Sequence, residues 1–188
     1  WEGLKAATAR FPGHAQPLKP TWGCFDESDP AWVEKEIDLA VAHGIDTFLY
    51  DWYWYSGVRN MEEALERGFL KARNRKKISF CLMWANHDRI DQFCPEFGKP
   101  RNTWLPSRHT AADLERVVAY CSEHYFSQPN YRRVEGRLYF SFFRAAHLVK
   151  ELGGPSATHR IFETLDRRLA KDGLPGMHWS GMVYTAEE

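Results

Sequence analysis

Apolar positions along the chain alternate between helical spacing and short unbroken runs. Asp29 reads as an N-cap with Pro30 at the first helical position, and Trp32, Val33, Ile37, Ala40 and Val41 recur at helical spacing until Gly44 ends the helix. Residues 46–54, DTFLYDWYW, form a β-branched and aromatic run without clean alternation, as expected of a strand buried on both faces. Asn60 is expected to cap a helix with Met61, Ala64, Leu65, Phe69 and Leu70 on one face, and residues 78–85, ISFCLMWA, repeat the strand signature. Residues 86–108 are polar and proline-interrupted, and a stretch of that length without structure suggests a functional loop. Thr110 then caps a helix that carries Leu114, Val117, Val118, Cys121 and Tyr125 inward. The turn Glu135-Gly136 leads into a third strand at residues 137–143, RLYFSFF. A helix over residues 156–172 ends at Gly173, and residues 178–184, HWSGMVY, are a fourth strand with an internal glycine. Residues 10–20 hold three prolines and a glycine, which excludes regular helix there.

Strand and helix in alternation mean a parallel α/β sheet with right-handed crossovers. A doubly wound nucleotide-binding sheet usually shows a glycine-rich turn after an early strand, whereas the first strand here runs into Asp51-Trp52-Tyr53-Trp54-Tyr55 and no G-x-G-x-x-G occurs. Polar and aromatic residues collect where the strands end, which favours the (β/α)8 TIM-barrel type. A closed barrel takes about 250 residues. The 188 residues present hold about four strands and run from Trp1 to Glu187-Glu188. The expectation is therefore one catalytic-type barrel domain over residues 1–188, incomplete and truncated at both ends, whose open inner face makes the fragment alone unstable or sticky.

Charge narrows the partners: 25 basic residues balance 25 acidic ones, so the basic stripe of a nucleic-acid binder is missing. No apolar run approaches the roughly 18 residues of a membrane span. Aromatic residues are 15% of the chain, with 8 Trp, 8 Tyr and 12 Phe, which is more ring surface than a core of this size needs and points some of it at a ligand. The four cysteines include no Cys-x-x-Cys pair. Cys81 and Cys121 read as core, while Cys94 is a free thiol or a partner for Cys24. Compartment stays open, because a start at Trp1 leaves any signal peptide unread.

The chemistry gathers at two strand ends. Asp51 stands beside Trp52, Tyr53, Trp54 and Tyr55, a carboxylate among flat rings with polar rims. Sugars suit such a surface, since their C–H faces stack on rings while their hydroxyls bond to carboxylates and amides. The competing reading packs these rings in the core. The second strand ends in Trp84-Ala85-Asn86-His87-Asp88-Arg89. There Asp88 is a candidate base or nucleophile, Asn86 a partner for a sugar hydroxyl, and His87 a group that orients either. Asn86 and Asp88 could instead merely cap the loop. His87 with Asp88 and Asp91 could hold a divalent metal but lacks a fourth ligand, so neither metal nor cofactor is called for. His43 reads as a helix-dipole partner and His124 as a helix-surface residue. Arg144 after the third strand is a further ligand contact, with Arg89, and Glu187 is a candidate second carboxylate.

Taken in order, RFPGHAQP, DESDP, HGID, YDWYWY, GFLKARN and LMWANHD resemble the glycoside hydrolase family 99-like domain, also called the WbsX-like group, most strongly up to about residue 91. The resemblance implies a (β/α)8 barrel acting on an oligosaccharide or polysaccharide, in the better-known branch as a retaining endo-α-mannosidase that needs no metal. It implies a base that removes the sugar's 2-hydroxyl proton so that this oxygen attacks the anomeric carbon. That base lies at the end of the strand matching LMWANHD, where many relatives carry Glu at the position of His87, which makes Asp88 the nearest carboxylate. The family's general acid sits in a later motif that does not occur before Glu188. The group's name carries a second reading, a glycosyltransferase of cell-surface polysaccharide assembly, for which the chain shows no phosphate cradle. A non-catalytic glycan binder is the third.

Overall fold

The computed structural model describes residues 1, 5–6, 8–14, 19–91 and 102–183. The first helix, α1 (Pro30–Ala42), begins where expected: the Asp29 carboxylate accepts from the Ala31 amide, and Pro30 occupies the first turn. Val33, Ile37 and Ala40 form its buried face. Gly44, at φ 80°, adopts the left-handed conformation that turns the chain into β1 (Thr47–Tyr55).

A short hairpin strand, β2 (Val58–Asn60), pairs antiparallel with the end of β1. The helix expected from Asn60 onward is replaced by that strand, a wide turn at Ala64–Gly68 and a tight 3₁₀ turn at Phe69–Lys71. Two features break it. Met61 takes a positive φ and stays exposed, and a side chain on Gly68 would lie 2.0 Å from the Glu27 carbonyl oxygen. Leu65 and Phe69 still reach the core and Leu70 packs against it, whereas Met61 does not join the apolar face expected of it.

β3 (Ser79–Trp84) runs parallel to β1 over Thr47–Ser79 to Trp52–Trp84. The long loop after it contains a small hairpin of β4 (Arg89–Ile90) and β5 (Thr103–Leu105). Helix α2 (Ala111–Cys121) follows, capped by Thr110 as expected, and a wide turn carries Tyr125 and Phe126 inward. The hairpin β6 (Arg133–Val134) and β7 (Arg137–Phe142) comes next. Two helices, α3 (Ala145–Glu151) and α4 (Pro155–Lys171), lead to β8 (Met177–Gly181), parallel to β7. Helix α3 has no counterpart in the sequence reading, because seven residues with one buried apolar side chain, Leu148, are too short for a periodic signal.

The parallel strands β1, β3, β7 and β8 therefore lie side by side in chain order. A doubly wound sheet reverses direction at a switch point, and this sheet does not. Among the described residues it is a mixed sheet backed by helices, an open α/β arrangement and not a closed barrel. Its alternation sorts side chains onto two faces. Phe80, Leu82, Trp84, Leu138, Phe140, Phe142 and Met177 pack toward the helices at 0–3% exposure. Buried aromatic contacts there, such as Phe69–Phe80 at 5.1 Å and Phe126–Tyr131 at 5.0 Å between ring centres, make this face the core. Cys81 and Cys121 are buried free thiols, and burial pushes the Cys81 thiol up to about 11. Cys24 is also a free thiol, and Cys94 lies outside the described residues.

Candidate functional site

The opposite face of the sheet is exposed along β1 and closes over Cys81, Met83 and Ser141 on the inner strands, and its strand ends gather polar groups. On β1 the odd positions Leu49, Asp51 and Tyr53 point to it, and the even positions Trp52 and Trp54 point to the helices. Trp52 stacks on Trp54 at 5.5 Å, and its indole N–H donates to Tyr125 at 3.4 Å. Both indoles are under 7% exposed, so the sugar stacking expected of them is not available in this arrangement. Trp84 is likewise enclosed, packed against His109 and Phe142. The core reading of these three rings therefore prevails.

Tyr53 and Asp51 stay on the open face. Burial raises the Tyr53 hydroxyl's pKa first, and the Asp51 carboxylate adds to it. Tyr55 lies beneath the rim at 4% exposure; burial pushes its phenol up to about 12, and it senses Tyr53, Arg89 and Asp88 electrostatically. Beyond β3 the chain turns sharply, with Asn86 and His87 donating back to the carbonyls of Trp84 and Ala85. This turn sets the His87 ring between Tyr53, at 6.1 Å, and Phe143, at 5.6 Å. Its Nδ1 sits 2.9 Å from the Asp88 carbonyl oxygen. The Asp88 carboxylate accepts from the Ser107 amide at 2.7 Å and so ties the returning loop to the strand end. Arg89 reaches over the exposed Trp104 ring, 5.9 Å from its centre.

Asn86 is fully buried, and its amide works as a staple. Its oxygen accepts from the Arg144 amide at 2.7 Å and its nitrogen donates to the Arg144 carbonyl at 3.2 Å, joining the ends of β3 and β7. The same nitrogen faces His109 Nε2 at 3.1 Å, and His109 Nδ1 lies 2.6 Å from Glu151. A hydroxyl-binding role for Asn86 is thus replaced by a backbone-holding one. The Arg144 side chain is exposed at the start of α3. Glu187 lies outside the described residues. His87, Asp88 and Asp91 do not converge on a common metal position.

The structure thus brings together Asp51, Tyr53, His87, Asp88 and Arg89, joined by Phe143 and Trp104, which the sequence did not single out. Phe143 was findable, since it continues the odd-position series Tyr139, Ser141 on β7. A groove of about 620 Å3 lies elsewhere, beside Leu39, Ala40, Phe48 and Tyr50 along the edge of β1. It is not at the strand ends, and chemistry rather than volume places the candidate site.

Residues 1–186 match the family model described as Glycosyltransferase WbsX. The chain belongs to that family. It is 26% identical over 152 residues to the uncharacterized protein WxcX of Xanthomonas campestris pv. campestris strain B100, covering 80% of this chain and 21% of that protein. Among solved structures it resembles the GH99 endo-alpha-mannosidase from Bacteroides thetaiotaomicron, with a TM-score of 0.57 and 13% identity over 95% of this chain and 49% of that one. A glycoside hydrolase-like protein aligns with a TM-score of 0.57 and 12% identity over 88% of this chain and 47% of that one. The WbsX-family chain therefore spans about a fifth of its curated relatives and about half of these structures, with which it shares its fold.

Proposed function

We propose that this WbsX-family chain supplies one half of a (β/α)8 barrel in a carbohydrate-active enzyme that hydrolyses glycosidic bonds. The observation that carries the reading is the sequential parallel order β1-β3-β7-β8, with carboxylates and rings collected at one end of its open face. In barrels of this type the reacting groups stand at the C-terminal strand ends. Asp51 offers a carboxylate to sugar hydroxyls there, and Tyr53, Phe143 and Trp104 offer ring faces. Asp88, oriented by the Ser107 amide, is the candidate base, and His87 holds its place between two rings. A base at this position would take a proton from water or from a sugar hydroxyl as the anomeric bond breaks. The fold shared with the endo-α-mannosidase supports an α-mannoside as the first substrate to try.

The family's description favours a second reading, transfer from an activated sugar. Product analysis of the full-length protein separates them. Hydrolysis releases reducing sugar from α-mannosides in water alone, with ¹⁸O from labelled water entering the product. Turnover that requires a sugar nucleotide would make the protein a transferase. Asp88→Asn should cut turnover by about 100-fold or more while leaving glycan affinity in place.

A further inference from the structure

Away from the open face, α3 presents His147 and Glu151 one turn apart, with His147 Nε2 3.5 Å from Glu151 Oε1. The other carboxylate oxygen faces His109 Nδ1 at 2.6 Å and also accepts from the His109 amide at 3.0 Å. The two imidazole rings meet edge to face, 5.5 Å apart. Among the described residues this is the one group of three or more His, Cys, Asp or Glu donors whose ligand atoms all lie within 4.8 Å of one another.

We propose that His109, His147 and Glu151 form a binding site for a divalent transition metal, with Zn²⁺ the best match. Tetrahedral Zn²⁺ bonded at 2.0–2.1 Å sets neighbouring donor atoms roughly 3.3 Å apart. The spacings here bracket that value, so entry of the ion opens the shortest contact and draws in the longest. Two imidazoles and one carboxylate suit zinc and its neighbours and do not suit Mg²⁺ or Ca²⁺, which take oxygen. His109 is buried and anchors the site, whereas the side chains of His147 and Glu151 are 37% and 27% exposed and leave an entry path and a fourth position for water.

Binding at Nδ1 moves the His109 proton to Nε2, where Ser107 Oγ, 3.3 Å away, accepts it. The opposing group is Asn86, whose Nδ2 now hydrogen-bonds that same nitrogen and loses the contact. That loss makes the site weaker than a dedicated structural zinc site. The ion would clamp α3 to the returning loop behind the strand ends.

The test is calorimetric titration of Zn²⁺ into the tag-free full-length protein near neutral pH, for wild type, His147→Ala and Glu151→Gln. One saturable site is expected in the wild type, weakened at least about tenfold in each variant. His147 lies on the half-exposed flank of α3, so the metal-free thermal midpoint of His147→Ala should match the wild type. No saturable binding overturns the proposal. Equal binding by wild type and His147→Ala overturns it too, since the ion then sits elsewhere.

Discussion

The two faces of the same sheet are built from similar residues and do different things. On the helix side, Trp52, Trp54, Trp84, Phe80 and Phe140 are sealed in the core, whereas on the other side Leu49 is 48% exposed and Asp51 and Tyr53 face outward. In DTFLYDWYW one strand supplies both faces by parity, even positions toward the core and odd positions toward the other side. Aromatic content by itself therefore does not mark a ligand site. Which face a ring occupies decides its role.

The comparison breaks hardest at the core. Trp84→Ala should cost about 3–5 kcal/mol, measured by denaturant unfolding, because it empties the space between His109 and Phe142. Asp51→Asn on the open face should stay within about 0.5 kcal/mol of wild type. A similar loss from both would show that the faces are not distinct. Gly68→Ala should cost about 1–3 kcal/mol in the same assay, since the new methyl would meet the Glu27 carbonyl oxygen at 2.0 Å. Asn86→Ala removes the staple between β3 and β7 and should also cost about 1–3 kcal/mol, and hydrogen exchange at the Arg144 amide should speed up.

A smaller effect sharpens the helix side through pH. Burial alone would raise the Glu66 carboxyl, but hydrogen bonds from Tyr120, Tyr125 and Arg59 outweigh it and hold the pKa below the ordinary 4.5. A folded value below the unfolded one contributes stability that is complete above 4.5 and lost as pH falls through the folded value. Glu66→Gln should therefore flatten the acid limb of stability as pH falls below about 4.5, read from urea midpoints. An unchanged acid limb would remove Glu66 from the account.

The order of strands and most helix starts were legible in the sequence, because each rests on local chemistry. Asp29 with Pro30, and Thr110 with the apolar spacing after it, are short-range signals that tertiary contacts did not override. The broken segment after Asn60 was not legible, because its cause is the approach of Glu27 to Gly68, far apart in sequence. The same limit hid the buried line Asn86–His109–Glu151, whose members are separated by 23 and 42 residues and follow no motif. Asp88 and Arg89, placed by the sequence after the second strand, stand just beyond the end of β3. The charge of Asp51 sets the parity that buries Trp52 and Trp54, while the burial of Trp84 follows from its register beside Trp52, which only the folded sheet supplies.

The central claim is that the open face at the strand ends, and not the β1-edge groove, receives the glycan. It is tested most directly by measuring binding of α-mannoside oligosaccharides to the full-length protein by saturation-transfer NMR, comparing Tyr53→Ala with Leu39→Ala in the groove. The account predicts that Tyr53→Ala abolishes the transfer signal and Leu39→Ala leaves it intact. Loss of signal in Leu39→Ala with retention in Tyr53→Ala would contradict it and move the site to the groove.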